Sequence, residues 1–253
     1  LHRKHTRQRP TMNIANDHIV KSYDEELDRL TGEILRMGDL ALNELEAAIN
    51  AAMERDSETA QSIVDSDHEV DKLELEVSHD VIRLLALRQP MAGDLREVLA
   101  ALRIASDIER IGDYAANVAK RAIALNRVER VRPVFSLPRL GKLAGDILGE
   151  VLLAYRDRDA DRALLAWARD EELDGLYTGM FRELLTYMME DPRTITACTH
   201  LLFMAKNIER IGDHATNIAE DVYFIVHGHR MPQARRKADR TDSLLASGTQ
   251  LSN

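Results

Sequence analysis

Apolar residues recur every three to four positions over most of the chain, and this spacing is typical of amphipathic helices. Turn residues interrupt the pattern at five places, near 55–57, 89–93, 127–137, 158–159 and 191–192. The pattern therefore predicts six long helices, over about 18–53, 57–87, 94–126, 138–156, 160–189 and 192–227. Three helices joined by short turns form an antiparallel bundle, so we expect two three-helix bundles in tandem.

Residues that start and stop helices support these boundaries. Asp56 or Ser57 is a suitable N-cap for the second helix. Asp191 followed by Pro192 is a strong start for the sixth, because Asp caps a helix and Pro suits its first position. Gly228 predicts its end. The expected organisation is an irregular leader over 1–16, bundles over 17–127 and 138–228, a linker between them, and a polar, disordered tail over 229–253.

The chain contains an internal duplication. The segment Glu109–Asn117 reads ERIGDYAAN, and Glu209–Asn217 reads ERIGDHATN, 100 residues later. Two acids of the preceding helix also repeat, at an offset of 103: Asp67 and Asp71 in the first copy, Asp170 and Asp174 in the second. A repeat of this size indicates two copies of one bundle, since a solenoid needs three or more short units.

The composition fits an all-α protein. Only 4% of residues are aromatic, the chain has 12 Gly and 6 Pro, and runs of strand-forming residues bounded by turns are missing. The single cysteine, Cys198, excludes an intrachain disulfide framework, and its apolar surroundings favour a packed thiol over a nucleophile. No stretch approaches the roughly 18 apolar residues of a membrane span, and Leu1–Met12 lacks the apolar core of a signal peptide.

Charge is unevenly distributed along the chain. The formal net charge is −9, yet residues 1–11 carry four basic side chains and residues 228–253 carry five basic and two acidic ones. The body between these ends is therefore strongly acidic. Such a body repels nucleic acid and attracts cations or basic protein surfaces, so no nucleic-acid partner is expected.

The duplicated segment carries the candidate chemistry. Glu109, Asp113 and Asn117 stand at i, i+4 and i+8, which places them on one face of a helix that advances about 100° per residue. The neighbouring apolar residues fall on the opposite face, so the acids should point away from the core. Acids of the two neighbouring helices would then converge in a surface groove in each copy: Asp67, Asp71, Glu109, Asp113 and Asn117, and Asp170, Asp174, Glu209, Asp213 and Asn217.

Carboxylates with an amide oxygen form a hard site that suits Mg²⁺, Mn²⁺, Ca²⁺ or iron better than a thiolate-type zinc site. His214, next to Asp213, could add a nitrogen ligand. The plainer alternative is a solvated helix face that binds nothing. Gly112 and Gly212 are costly in a helix interior, so their recurrence indicates close approach of a cluster or of a packed neighbouring helix.

The two ERIGDxAxN segments, the Leu87–Pro90 turn and the doubled three-helix layout resemble the PhoU family of phosphate-signalling proteins. The resemblance covers nearly all of residues 13–228. It implies a cytoplasmic, non-enzymatic negative regulator of phosphate uptake and of the phosphate-starvation response. The implied partners are the ATPase of a phosphate ABC transporter, a membrane sensor histidine kinase and a second copy of the chain in a homodimer.

The resemblance also implies a multinuclear iron or zinc cluster on E-x-x-x-D-x-x-x-[DN] motifs, with manganese or magnesium as other candidates for a single ion. Both motifs end in Asn here, at Asn117 and Asn217, which supply a neutral oxygen. Two alternatives to a metal-binding regulator stay open at this point. One is a carboxylate-bridged metalloenzyme, and the other is a helical adaptor without metal.

Overall fold

The computed structural model describes residues 14–232 of the chain. They form eight α-helices: α1 (Ile14–Glu54), α2 (Ser57–Ser66), α3 (His68–Arg88), α4 (Gly93–Leu125), α5 (Leu137–Asp157), α6 (Ala160–Ala168), α7 (Asp170–Glu190) and α8 (Ile195–His227). Short 3₁₀ turns at Arg132–Ser136 and Pro192–Thr194 precede α5 and α8. Residues 14–16 belong to α1, and the rest of the predicted leader and most of the predicted tail lie outside the described residues.

The six predicted helices are present, and the second and fifth are each divided at a single residue. Asp67 separates α2 from α3, and Arg169 separates α6 from α7. Before the first break, the Ser66 hydroxyl donates to the Ile63 carbonyl at 3.1 Å, a local bond that competes with regular helix bonding. At the second, the Arg169 amide bonds to the Ala166 carbonyl, three residues back instead of four. The first break falls at Asp67 and the second directly before Asp170, and these are the first candidate acids of their copies.

The helix starts follow the capping chemistry that the sequence predicts. The Asp56 carboxylate accepts hydrogen bonds from the amides of Glu58 and Thr59 at the start of α2, both at 3.0 Å. Asp191 accepts from the Arg193 amide, although Pro192 begins a 3₁₀ turn before α8. Gly228 ends α8 with a φ of 73°, the left-handed conformation that favours glycine.

Helices α1–α4 form the first three-helix bundle, in which α2 and α3 are the two parts of one broken helix. Helices α5–α8 form the second in the same way, with α6 and α7 as the broken helix, so the predicted all-α duplicated fold is confirmed. The bundles lie side by side, α1 along α5 and α4 along α8, and share a continuous apolar core. Their contacts are reciprocal: a Cβ added at Gly38 would meet Leu152, and one added at Gly141 would meet Ile49. Both pairs are related by the offset of 103, so the two bundles meet through matching surfaces, as in a symmetric dimer.

Among the described helices, none combines the length and the hydrophobicity that a membrane span requires.

Candidate metal centre

The first bundle gathers three carboxylates at the groove between α3 and α4. Asp71 comes from α3, and Glu109 and Asp113 come from successive turns of α4. One oxygen from each lies within 4.8 Å of the others, and no other such trio of acids, histidines or cysteines occurs in residues 23–232. The Glu109 and Asp113 side chains are 25% and 36% exposed, while Ile108 and Ile111 are fully buried. The first copy of the motif therefore faces a surface groove, as predicted.

Arg110 contacts two members of this trio at the protein surface. Arg110 lies 3.5 Å from Glu109 and 3.3 Å from Asp113, but its side chain is 56% exposed and such pairs stabilise little. Partial burial, reinforced by the Asp113 charge, raises the pKa of Glu109. Converging carboxylates either hold protons or bind a cation. The donor set is of the kind that hard divalent cations prefer, and Asp71, Glu109 and Asp113 are the residues that could hold such an ion.

Two further candidates of the first copy lie at the edge of this trio. Asp67 stands at the break between α2 and α3, where the Lys120 ammonium lies 3.7 Å from its carboxylate. Burial raises the pKa of Asp67, and Lys120 opposes the shift. Asn117 is half-buried one turn beyond Asp113 on α4. The structure thus brings three of the five candidate ligands together and gives a fourth, Asp67, a protein cation.

The second copy is arranged differently. Asp170, Asp174 and Glu209 are buried, each 2% exposed or less. The Lys206 ammonium lies 2.8 Å from the Glu209 carboxylate, and Lys206 also lies over the Tyr177 ring. The prediction that the second ladder points outward is therefore wrong at Glu209, because α7 covers it and Lys206 neutralises it. The pKa of Glu209 is raised, because the effect of burial exceeds the opposing effect of the hydrogen bond from Lys206.

The recurring glycines explain how α7 comes so close. A Cβ added at Gly212 would overlap Leu173 and lie 3.2 Å from the Asp170 carboxylate. At Gly112 the same addition would lie 3.4 Å from Val70, an ordinary contact distance. The structure therefore supports close approach of a packed neighbouring helix at Gly212, whereas a side-chain Cβ would fit at Gly112.

Asn217 and His214 are directed toward the other bundle. His214 Nδ1 lies 2.6 Å from the Asp107 carboxylate of α4, and the Asn217 amide donates to the same oxygen at 3.1 Å. The His214 ring also packs against Tyr114, its counterpart in the first copy. The structure therefore assigns His214 to the contact between the bundles, and the suggestion that it adds a nitrogen ligand finds no support in this geometry.

Sequence reasoning missed Glu44 of α1, which is 5% exposed and lies beneath the first acidic groove. Its Oε1 lies 3.5 Å from the Ser66 hydroxyl oxygen, and its Oε2 is buried with no hydrogen-bond partner in the described part of the chain. Burial, reinforced by the Asp67 charge, raises the pKa of Glu44 to about 7. The available signal was an acid in the apolar stripe that contains Ala41, Leu45 and Ala48.

Two clefts also went unpredicted, because distant segments form them. One, of about 610 Å³, lies between α4 and α8 and is lined by Arg103, Asp107, Asn217, Glu220, Asp221, Phe224, Arg230 and Met231. The other, of about 600 Å³, lies between the linker and the start of α8 and includes Arg130, Arg132 and Arg193. Neither contains Asp71, Glu109 or Asp113, so the carboxylate trio lies outside both cavities.

Comparison with known proteins relates the whole duplicated layout to one family. The sequence profile described as "PhoU domain" matches twice, over residues 34–122 and 137–222. The "Phosphate-specific transport system accessory protein PhoU homolog" of Xylella fastidiosa strain 9a5c is 56% identical, over 90% of this chain and 97% of the relative. That of Caulobacter vibrioides strain NA1000 / CB15N is 50% identical, over 88% of this chain and 97% of the relative.

Solved structures agree. The crystal structure of PhoU from Pseudomonas aeruginosa superposes with a TM-score of 0.79 at 38% identity, covering 82% of this chain and all of that one. The phosphate transport system regulatory protein PhoU from Streptococcus pneumoniae gives a TM-score of 0.78 at 29% identity, over 83% of this chain and 100% of the neighbour. These relatives are named as accessory or regulatory proteins, which confirms the prediction of a non-enzymatic protein. By both repeats and by its fold, the chain belongs to the PhoU family.

Proposed function

We propose that the protein is a negative regulator of phosphate uptake and of the phosphate-starvation response. It acts in the cytoplasm, at the inner face of the membrane, by binding the ATPase of a phosphate ABC transporter and a sensor histidine kinase. The observation that carries the proposal is the match of both repeats to PhoU, together with relatives named for the phosphate-specific transport system. The homodimer that the resemblance implies stays a prediction.

The proposal includes a metal ion, or a multinuclear cluster, at Asp71, Glu109 and Asp113. Iron, zinc, manganese and magnesium are the candidates, and the all-oxygen donor set favours the harder ions. The role proposed for the metal is structural: it neutralises the converging carboxylates and shapes the α3–α4 face that partners meet. The alternative of a metalloenzyme is less well supported. A catalytic metal needs an open coordination position inside a pocket, and the trio lies outside the two clefts of about 600 Å³.

The test of regulation is deletion of the gene in a strain that carries a phosphate-starvation reporter. In phosphate-rich medium the deletion strain should express the reporter, and a plasmid copy of the wild-type gene should repress it again. An unchanged reporter would contradict the regulatory role. An Asp113→Ala copy separates the two parts of the proposal: it should repress poorly if metal is required, whereas full repression would favour the metal-free adaptor.

A further inference from the structure

The two acidic clusters are built on the same motif and differ in the residue that stands one helical turn before the motif Glu. At the position three residues before the motif Glu, the first copy has Ser106 and the second has Lys206. Residues three apart on a helix are neighbours, so a side chain at this position reaches the Glu carboxylate. Lys206 does so at 2.8 Å. Ser106 is exposed and places no charge beside Glu109.

The surroundings of the two clusters follow this difference. Where Ser106 is present, three carboxylate oxygens converge within 4.8 Å near the surface. Where Lys206 is present, Glu209 and Asp174 are at most 2% exposed and no comparable trio forms in the described residues. Burying carboxylates is tolerated when a protein cation pairs with them, and a paired carboxylate is a poor metal ligand because the ammonium must be displaced first.

We infer that Lys206 is a built-in cation that takes the place of metal in the second cluster, so that this chain binds a hard divalent ion through the first cluster alone. The inference rests on the proposed metal at Asp71, Glu109 and Asp113. It adds a determinant of specificity: Ser106 leaves one copy open to metal and Lys206 closes the other.

The experiment uses the full chain, stripped with chelator and then equilibrated with Mn²⁺ as the probe. Bound manganese is measured after removal of free ions. The wild-type protein should hold manganese that Asp113→Ala removes and that Asp213→Ala leaves unchanged. Lys206→Ser should raise the manganese per chain, up to about twofold, because the Glu209 carboxylate then lacks the ammonium that pairs with it. Ser106→Lys should lose it.

Two controls keep the result interpretable. Lys206→Arg retains the charge and should bind no more manganese than the wild type, while Asp213→Ala in the Lys206→Ser background should remove the added ions. In chelator, Lys206→Ser should unfold at a lower temperature than the wild type, and added Mn²⁺ should restore part of the loss.

The outcomes separate the inference from the function it rests on. If the Asp113→Ala and Asp213→Ala variants each bind less manganese than the wild type, by the same amount, the role of Lys206 is overturned and the proposed metal stands. Lys206→Ser protein that melts normally and binds no additional manganese would overturn it as well. Wild-type protein that binds no manganese at all would refute the metal part of the proposed function and the inference with it.

Discussion

In the first bundle, Asp71, Glu109 and Asp113 gather at a half-exposed groove, whereas in the second bundle Asp174 and Glu209 are buried and Lys206 lies against Glu209. The motif letters are almost the same in both copies. The difference comes from residues outside the motif: a cation one helical turn before it, and the closeness of the neighbouring helix. A repeated acidic motif therefore sets the positions of the carboxylates along the helix, and residues outside the motif set their exposure and their charge partners.

The buried acid beneath the first cluster gives the largest expected contrast between the bundles. Glu44 aligns, at the offset of 103, with the fully buried Ile147 of α5. The pKa of Glu44 is raised from 4.5 to about 7. Its contribution to stability is therefore complete below about pH 4.5 and is lost as the pH rises through about 7.

Glu44→Gln should remove the loss of stability that ionisation of Glu44 causes at high pH. Above pH 7 we expect the variant to be more stable than the wild type by about 2–3 kcal/mol, with little difference below pH 4.5. Urea unfolding in chelator at a series of pH values measures this, with Glu46→Gln on the exposed side of α1 as the control. Parallel pH profiles for the wild type and Glu44→Gln would show that Glu44 is not the titrating group.

The paired glycines give the next largest contrast. Gly212→Ala should lose about 1–2 kcal/mol, because overpacking Leu173 outweighs the gain in helix propensity. Gly112→Ala should be neutral or gain up to about 1 kcal/mol, since its added Cβ meets Val70 at an ordinary distance. Denaturant unfolding of the two variants compares them directly, and equal losses would contradict the tighter packing in the second bundle.

The helix caps give the smallest contrast. Asp56 accepts two backbone amides and the Thr59 hydroxyl, whereas Asp159 accepts the Arg162 amide of α6. Asp56→Ala should lower Tm by about 2–4 °C, and Asp159→Ala by about half as much. Calorimetry of both variants measures the shifts. A larger loss for Asp159→Ala would refute this ranking of the caps.

Much of the fold could be predicted, because it follows from local rules. Apolar spacing, Asp56, Asp191 and Gly228 define where helices begin and end, and the repeat defines the two bundles. The breaks at Asp67 and Arg169 could not be predicted, since neither involves Gly or Pro. The structure shows a local Ser66–Ile63 hydrogen bond before the first break and a shortened helix turn at the second.

The candidate site was predicted in part. Helical periodicity correctly placed Glu109 and Asp113 on one face of their helix. The expectation that Asp71 of the neighbouring helix lies close to them is also correct. The same periodicity failed at Glu209, because burial there depends on how closely α7 packs against Gly212 and on its ion pair with Lys206. Such long-range packing is not visible in the spacing of residues along one helix.

The divergence of the two clusters is tested most directly by crystals grown with Mn²⁺ and measured at the manganese absorption edge. We expect anomalous density between Asp71, Glu109 and Asp113, and none beside Glu209, where the Lys206 ammonium should remain. Manganese density among Asp174, Glu209 and Asp213 with Lys206 displaced would contradict the role of Lys206, and absence of manganese from the first cluster would contradict the proposed metal site.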